Sequence, residues 1–101
     1  MFVSDLLNGK RVLITGGGTG LGKNMARRFM ELGASLVICG RREDVLRETA
    51  EELAKETGGR IDWTPLDVSD PEAVEAVVGE IWDDGPLDAL VNNAAGNFLA
   101  R

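Results

Sequence analysis

The chain has 101 residues, of which 44% are hydrophobic, and it carries a net charge of −6. This length allows at most one domain, and the hydrophobic share allows a packed core, which excludes a disordered chain. The acidic balance disfavours nucleic acid or an anionic membrane as a main partner, and no stretch approaches the roughly 20 apolar residues of a membrane span.

The charge is unevenly distributed along the chain. Residues 1–42 contain seven Lys/Arg and two Asp/Glu, a local charge of +5, whereas residues 43–101 contain four and fifteen, a local charge of −11. We therefore expect an anionic ligand to bind near the N-terminal part. The single cysteine, Cys39, excludes an internal disulfide and fits a small core residue in a reducing compartment. The N-terminus lacks the basic and apolar regions of a signal peptide, so we expect a cytoplasmic protein.

Strands and helices alternate in the predicted elements. Apolar runs predict strands covered on both faces over residues 10–14 and 35–39, and two further strands are predicted over residues 60–66 and 87–91. Periodic apolar residues predict helices over residues 23–32, 43–57 and 71–84. The third helix has a clear start, because Asp70 can cap it and Pro71 fits its first turn.

The spacing of apolar residues also predicts which face of each helix packs on the sheet. In the first helix these residues are Met25, Phe29 and Leu32. In the second they are Val45 or Leu46, Thr49, Ala50, Leu53 and Ala54. In the third they are Val74, Val77, Val78, Ile81 and Trp82.

The element order βαβαβαβ predicts an α/β fold with a Rossmann-type, doubly wound parallel sheet. Right-handed crossovers place the first two helices on one face and the third on the other, which gives the strand order 3-2-1-4. The fourth strand then lies at an open edge, and one face carries a single helix. We therefore expect residues 1–101 to form the first half of a larger domain, truncated at its C-terminal side.

Residues 15–22 read TGGGTGLG and join the first strand to the first helix. Five of the seven residues from 16 to 22 are glycine, which is more than a tight turn needs. Glycines allow backbone N–H groups to approach an anion, and the helix N-terminus adds a positive dipole end. The stretch therefore predicts a phosphate-binding turn, with a glycine-rich connection of no ligand function as the alternative.

Three phosphate-binding patterns compete for this stretch. The common dinucleotide pattern G-x-G-x-x-G is not satisfied. The nucleotide-hydrolase pattern G-x-x-x-x-G-K-[ST] is met by Gly17, Gly22 and Lys23, but Asn24 stands where a hydroxyl should hold Mg²⁺. The pattern T-G-x-x-x-G-x-G is matched in full from Thr15 to Gly22.

With DVS at residues 67–69 and NNAAG at residues 92–96, the chain resembles the short-chain dehydrogenases/reductases throughout, most closely the 2,4-dienoyl-CoA reductase branch. The resemblance implies hydride transfer between a nicotinamide dinucleotide and a carbonyl, alcohol or enoyl-CoA substrate, and a homo-oligomer when full length. It also implies a set of cofactor contacts: Gly16, Gly18, Thr19, Gly20, Leu21, Asp67, Val68, Asn93, Ala94 and Gly96. Phe98 is expected either to line a substrate pocket or to anchor a further helix, and Asn92 to tie neighbouring strands together.

The end of the second strand predicts which dinucleotide is bound. An acidic residue there would accept from the ribose 2′-hydroxyl of NAD, whereas an arginine accommodates the 2′-phosphate of NADP. The chain has Arg41 and Arg42 and no acid before Glu43. Because a guanidinium pairs with phosphate through charge-assisted hydrogen bonds, we predict NADP(H). Capping of the acidic helix that follows is the alternative role of this pair.

The catalytic equipment that the resemblance implies, a Tyr, a Lys and a Ser, belongs to the second half of a complete family member. The chain has no Tyr and no His, and its three serines lie outside any such context. We therefore predict the cofactor-binding half of an NADP(H)-dependent oxidoreductase, inactive alone, with no catalytic residue and no metal site in these residues. A non-catalytic NADP(H)-binding module is the first alternative, and a nucleotide hydrolase is the second.

Overall fold

A computed structural model describes residues 6–18 and 20–93 of the chain. The described elements are β1 (Arg11–Thr15), α1 (Gly20–Glu31), β2 (Ser35–Gly40), α2 (Glu43–Thr57), β3 (Ile61–Pro65), α3 (Pro71–Asp83) and β4 (Ala89–Asn92). The four strands form one parallel sheet in the order β3-β2-β1-β4. The predicted fold class and strand order are confirmed. Within the described part of the chain, no helix is long and apolar enough to cross a membrane.

The two central strands supply side chains to both faces of the sheet, because successive residues of a strand point in opposite directions. On one face Val12, Ile14, Leu36 and Ile38 pack against buried residues of α1 and α2. On the other face Leu13, Val37 and Cys39 pack against α3. The helices therefore lie on the faces that right-handed crossovers predict, and β1 and β2 are buried almost throughout.

Helix α1 differs from its prediction in both its start and its buried face. It begins at Gly20 rather than at residue 23, and its buried residues are Gly22, Ala26 and Met30. The buried face is therefore shifted by one residue from the predicted one. Of the predicted residues, Phe29 is partly buried and packs against the edge of the core. The reason lies at Gly22, where an added Cβ would overlap the carbonyl oxygen of Gly16. Only small side chains can face the sheet where the backbones approach this closely.

Helix α2 has the predicted bounds, and its buried residues, Leu46, Thr49, Ala50 and Leu53, all belong to the predicted face. Helix α3 begins as predicted, because Asp70 Oδ1 accepts hydrogen bonds from the backbone nitrogens of Glu72 and Ala73 at 3.1 and 3.3 Å. The predicted apolar stripe of α3 is too wide, since Trp82 is 54% exposed. Among the described elements, α3 is the only helix on its face, so no neighbouring helix covers this indole.

Strand β4 begins at Ala89, two residues later than predicted, and extends one residue further, to Asn92. Before it, the Asp88 carboxylate accepts a hydrogen bond from the backbone nitrogen of Arg11 at 2.8 Å. The Asp88 backbone nitrogen donates in turn to the carbonyl of Arg11 at 2.8 Å. These two bonds set the register with which β4 enters the sheet beside β1.

Candidate functional site

The carboxyl ends of three neighbouring strands meet at one edge of the sheet. Thr15, the last residue of β1, is in register with Cys39 of β2 on one side and with Asn92 of β4 on the other. The glycine turn, the arginine pair and Asn93 each follow one of these strand ends. The strand order reverses between β1 and β4, which is where open α/β sheets form a ligand crevice.

The glycine turn presents the start of α1 to this crevice. Gly16 and Gly20 have positive φ angles of 70° and 58°, which glycine adopts without strain. The first N–H groups of a helix have no partner inside the helix, and those of α1 begin at Gly20 and Leu21. The Leu21 side chain is 66% exposed. This geometry matches the use of a helix N-terminus as an anion site.

Two of the five glycines are required by packing within the protein. An added Cβ at Gly17 would lie 2.6 Å from Cγ2 of Ile38, and one at Gly22 would lie 2.8 Å from Nδ2 of Asn93 besides overlapping Gly16. The number of glycines is therefore a weaker indication of a ligand than the sequence suggests. The indication of a ligand therefore comes from Gly16, Gly18 and Gly20.

A cleft of about 200 Å³ connects the turn with the end of β2. Its lining residues are Gly16, Gly18, Gly40, Arg41, Arg42, Val45 and Leu46. No lining residue among them carries a carboxylate. The structure thus brings together the predicted phosphate-binding turn and the arginine pair, two features that are more than 20 residues apart in the chain.

The two arginines differ from the other cations at this end of the molecule. Lys23 and Arg27 of α1 form ion pairs with Glu52 and Glu56 of α2 at 2.7–3.4 Å. Arg41 and Arg42 are exposed, and neither guanidinium forms a hydrogen bond or ion pair with another described residue. Their positive charge is therefore available to an anion in the cleft.

Helix capping does not account for this arginine pair. Arg42 occupies the N-cap position of α2 with extended backbone angles, φ −105° and ψ 99°, but its side chain makes no capping hydrogen bond. A cation at a helix N-terminus also opposes the helix dipole. The pair is thus an electrostatic cost to α2, offset in part by Glu43 and Asp44 in the first turn.

The two residues that bear on the nucleotide-hydrolase alternative, Lys23 and Asn24, form hydrogen bonds with other side chains of the protein. Lys23 Nζ, which would have to reach phosphates, donates to Oε1 of Glu52 at 2.7 Å. Asn24 Oδ1, at the position of the Mg²⁺-binding hydroxyl, accepts a hydrogen bond from Arg27 at 3.1 Å. Both side chains therefore belong to the outer surface of α1. Among the described residues, no group of three or more His, Cys, Asp or Glu could hold a metal ion.

Asp67 follows β3 and is held as an ionised carboxylate. Its Oδ1 accepts hydrogen bonds from the Ser69 hydroxyl at 2.6 Å and from the Ser69 backbone nitrogen at 3.0 Å. These bonds, with a smaller contribution from the Arg41 charge, lower the pKa of Asp67 below its usual value. The helix that follows is capped by Asp70, so capping does not explain Asp67. Val68 beside it packs partly on the α3 side of the core.

Asn92 and Asn93 contact the end of β1. The Thr15 hydroxyl donates to Oδ1 of Asn92 at 2.8 Å, as expected for a residue that ties β4 to β1. The Asn93 backbone nitrogen donates to the Thr15 hydroxyl oxygen at 3.1 Å, and its side-chain Nδ2 donates to the Gly16 carbonyl at 3.4 Å. The remaining predicted site residues, Thr19, Ala94, Gly96 and Phe98, lie outside the described residues.

Two side chains near the site, Cys39 and Thr49, are buried, and of the two only the Thr49 side chain contacts the glycine turn through a hydrogen bond. Cys39 is fully buried, and burial raises the pKa of its thiol to about 12, so it is a core residue without nucleophilic character. Thr49 of α2 is 3% exposed, and its hydroxyl donates to the carbonyl of Gly18 at 2.7 Å. Its role at the turn is not apparent from the sequence, where the only signal is a hydroxyl on an otherwise apolar helix face.

This architecture, a parallel sheet whose glycine turn opens into a cleft at a strand-order reversal, is that of a nucleotide-binding α/β domain. Over residues 10–100 the chain matches the family described as short chain dehydrogenase. The chain therefore belongs to the short-chain dehydrogenase family.

Three relatives illustrate this similarity. The chain is 49% identical over 100 residues to an uncharacterized oxidoreductase of Caenorhabditis elegans, covering 92% of this chain and 30% of the relative. It is 48% identical over 96 residues to a probable (3E)-enoyl-CoA-producing 2,4-dienoyl-CoA reductase of the same organism, covering 92% and 31%. The structure of L-sorbose reductase from Gluconobacter frateurii, complexed with NADPH and L-sorbose, has a TM-score of 0.83 and 39% identity, covering 88% of this chain and 34% of that one. The chain thus spans about a third of the length of the curated relatives it matches.

Proposed function

We propose that this chain is the cofactor-binding half of an NADP(H)-dependent oxidoreductase. The observation that carries the proposal is the cleft that Arg41 and Arg42 share with Gly16 and Gly18. A dinucleotide whose pyrophosphate lies on the glycine turn extends its adenosine toward the end of β2. There it meets two guanidinium groups that form no ion pair with a described residue, and no carboxylate among the residues that line the cleft, a setting that favours a 2′-phosphate over a 2′-hydroxyl.

The described residues fit such a cofactor at several points. The turn from Gly16 to Gly18 and the first N–H groups of α1 would hold the pyrophosphate, and Arg41 and Arg42 would hold the 2′-phosphate. Asp67, kept ionised by Ser69, would accept from the adenine amino group, with Val68 beside it. Asn93 would lie beneath the nicotinamide-side ribose, and Thr19, Ala94 and Gly96 complete the proposed set. When bound, the cofactor supplies or accepts a hydride.

The substrate side of the proposal rests on the relatives. A probable 2,4-dienoyl-CoA reductase is 48% identical to this chain, and an L-sorbose reductase is 39% identical. We propose a carbonyl, alcohol or enoyl-CoA substrate for the full-length protein, with the enoyl-CoA class favoured by the higher identity. Phe98 is proposed to line the substrate pocket. We also propose that the full-length protein is a homo-oligomer and that it is cytoplasmic.

The test of cofactor choice compares NADPH with NADH. We expect NADPH, titrated by nicotinamide fluorescence, to bind the full-length protein at least about tenfold more tightly than NADH. Arg41→Asp should reverse this preference. Arg47→Asp is the matched control, because it changes the charge equally at an exposed position of α2 that does not line the cleft. Equal affinities in the unmodified protein, or an unchanged preference in Arg41→Asp, would contradict the proposal.

We propose that these 101 residues do not catalyse the reaction on their own. The chain contains no Tyr and no His, and the proton-transferring groups of the family are proposed to lie beyond residue 101. The coding sequence distinguishes this from a non-catalytic binding module. An in-frame continuation with a Tyr and a Lys four residues apart supports the enzyme, whereas a stop codon directly after Arg101, with a soluble product, supports the module.

A further inference from the structure

Helix α2 directly follows the arginine pair in the chain, and it also contacts the glycine turn. The Thr49 hydroxyl donates to the Gly18 carbonyl at 2.7 Å, across 31 residues of chain. One helical turn earlier, Cγ1 of Val45 lies close to Gly18, since an added Cβ there would lie 3.0 Å away. Leu46 is also close, with its Cδ2 at 3.6 Å from the same position. The turn is therefore packed on the side of α2 and hydrogen-bonded to it.

The same helix thus holds both sides of the cleft. Arg41 and Arg42 directly precede the first residue of α2, Glu43, while Thr49 lies in its middle. Because an α-helix is a rigid element, the Thr49 bond fixes the position of the turn against α2. Thr49 itself is 3% exposed and does not line the cleft, so it acts on a ligand only through Gly18.

We propose that Thr49 is a positioning residue that holds the glycine turn against α2 in the position that the pyrophosphate of a dinucleotide requires. The inference rests on the proposed function and deepens it. Since the hydroxyl acts on the turn and not on the arginines, its loss weakens the binding of NADPH and the binding of NADH by the same factor. Substitution of Arg41, by contrast, changes the ratio of the two affinities.

The experiment compares three substitutions in the full-length protein. Thr49→Val removes the hydroxyl at nearly constant volume and leaves the Gly18 carbonyl without this partner, whereas Thr49→Ser keeps a hydroxyl. Thr57→Val is the matched control, because it removes a hydroxyl of the same helix away from the turn, where Thr57 donates to the Leu53 carbonyl at 2.8 Å and accepts from the Gly59 backbone nitrogen at 3.0 Å. Thr49→Ala serves as a second hydroxyl-free variant if the valine protein does not fold.

We expect Thr49→Val to raise the Kd of NADPH and of NADH by about five- to tenfold each. The Kd values of Thr49→Ser and Thr57→Val should stay within about twofold of those of the unmodified protein. An unchanged Kd in Thr49→Val overturns the inference, as does an equal loss of affinity in Thr57→Val or a changed NADPH-to-NADH ratio.

Failure of the proposed function has a different signature. If the unmodified protein binds NADH as tightly as NADPH, the NADP(H) assignment fails, but the Thr49 comparison still holds for both dinucleotides. If it binds neither dinucleotide, the proposed function and this inference fail together.

Discussion

At the scale of single residues, the site is organised by short hydrogen bonds that orient one group for another. Ser69 engages one carboxylate oxygen of Asp67 through both its hydroxyl and its backbone nitrogen. These bonds favour the charged form of the carboxyl group, which lowers its pKa. Asp67 is therefore an acceptor, and not a donor, toward any ligand at neutral pH.

Removal of the Ser69 hydroxyl should raise the pKa of Asp67 toward its ordinary value of 3.8. Since the folded-state pKa is the lower one, the carboxylate stabilises the fold above about pH 4, and this stabilisation is lost as the pH falls below it. In Ser69→Ala this contribution becomes smaller, so the difference in stability from the unmodified protein should be larger at neutral pH than at acid pH.

An NMR titration of the Asp67 side-chain carbon measures this pKa directly. Ser35→Ala is the control, because the Ser35 hydroxyl lies in β2, away from Asp67, and donates to the Lys10 carbonyl at 3.5 Å. The same Asp67 midpoint in Ser69→Ala and in the unmodified protein would show that the Ser69 hydroxyl does not hold this carboxylate.

At the scale of elements, the C-terminus of α3 depends on a residue from a distant strand. Helix α3 has no basic residue in its last turn. Instead, Nη1 of Arg11 in β1 donates to the carbonyls of Ile81 at 2.8 Å and Gly85 at 2.6 Å. The Arg11 side chain is only 16% exposed. Carbonyls that an isolated helix would leave to water are thus satisfied by the sheet on which the helix packs.

Arg11→Met should lower the free energy of unfolding by about 2 kcal/mol, because it leaves these carbonyls without their charged donor. Arg28→Met is the control: Arg28 forms an exposed ion pair with Glu31 at 3.3 Å, and its loss should cost less than about 0.5 kcal/mol. Urea unfolding monitored by circular dichroism measures both. Equal midpoints for the two variants would rule out the proposed capping role of Arg11.

At the scale of the whole molecule, the uneven charge of the sequence is redistributed by folding. Much of the positive charge of the N-terminal part is neutralised where α1 meets α2, because Glu52 pairs with both Lys23 and Arg27. The arginine pair at the cleft stays unpaired among the described residues. Positive potential is therefore concentrated at the proposed 2′-phosphate position and not spread over the first helix.

This concentration predicts different salt dependences for the two dinucleotides. Between about 50 and 500 mM salt, the Kd of NADPH should rise several-fold more than that of NADH, because screening weakens the additional phosphate contacts. The double variant Arg41→Ala/Arg42→Ala should show no such difference. Fluorescence titrations at a series of ionic strengths provide the measurement, and parallel salt dependences in the unmodified protein would contradict the expectation.

Much of the fold follows from local patterns in the sequence. The bounds of α2, the Asp70 cap of α3 and the alternation of strands and helices are set by interactions between residues near in the chain. The strand order follows from the handedness of the crossovers, which is a general property of L-amino acid chains. The glycine turn and the segments after the third and fourth strands were enough to indicate the family, which the comparisons confirm.

Only the tertiary structure decided which face of α1 is buried, how far Trp82 is exposed and which glycines serve packing. It also separated Lys23, which pairs with Glu52, from Arg41 and Arg42, and it joined Thr49 to Gly18. Most of these features depend on distances between segments that are 20 or more residues apart in the chain, and such distances leave no periodic pattern in the sequence. The sequence alone predicted an anion-binding turn; the packing of α2 against this turn determined which residues line the cleft beside it.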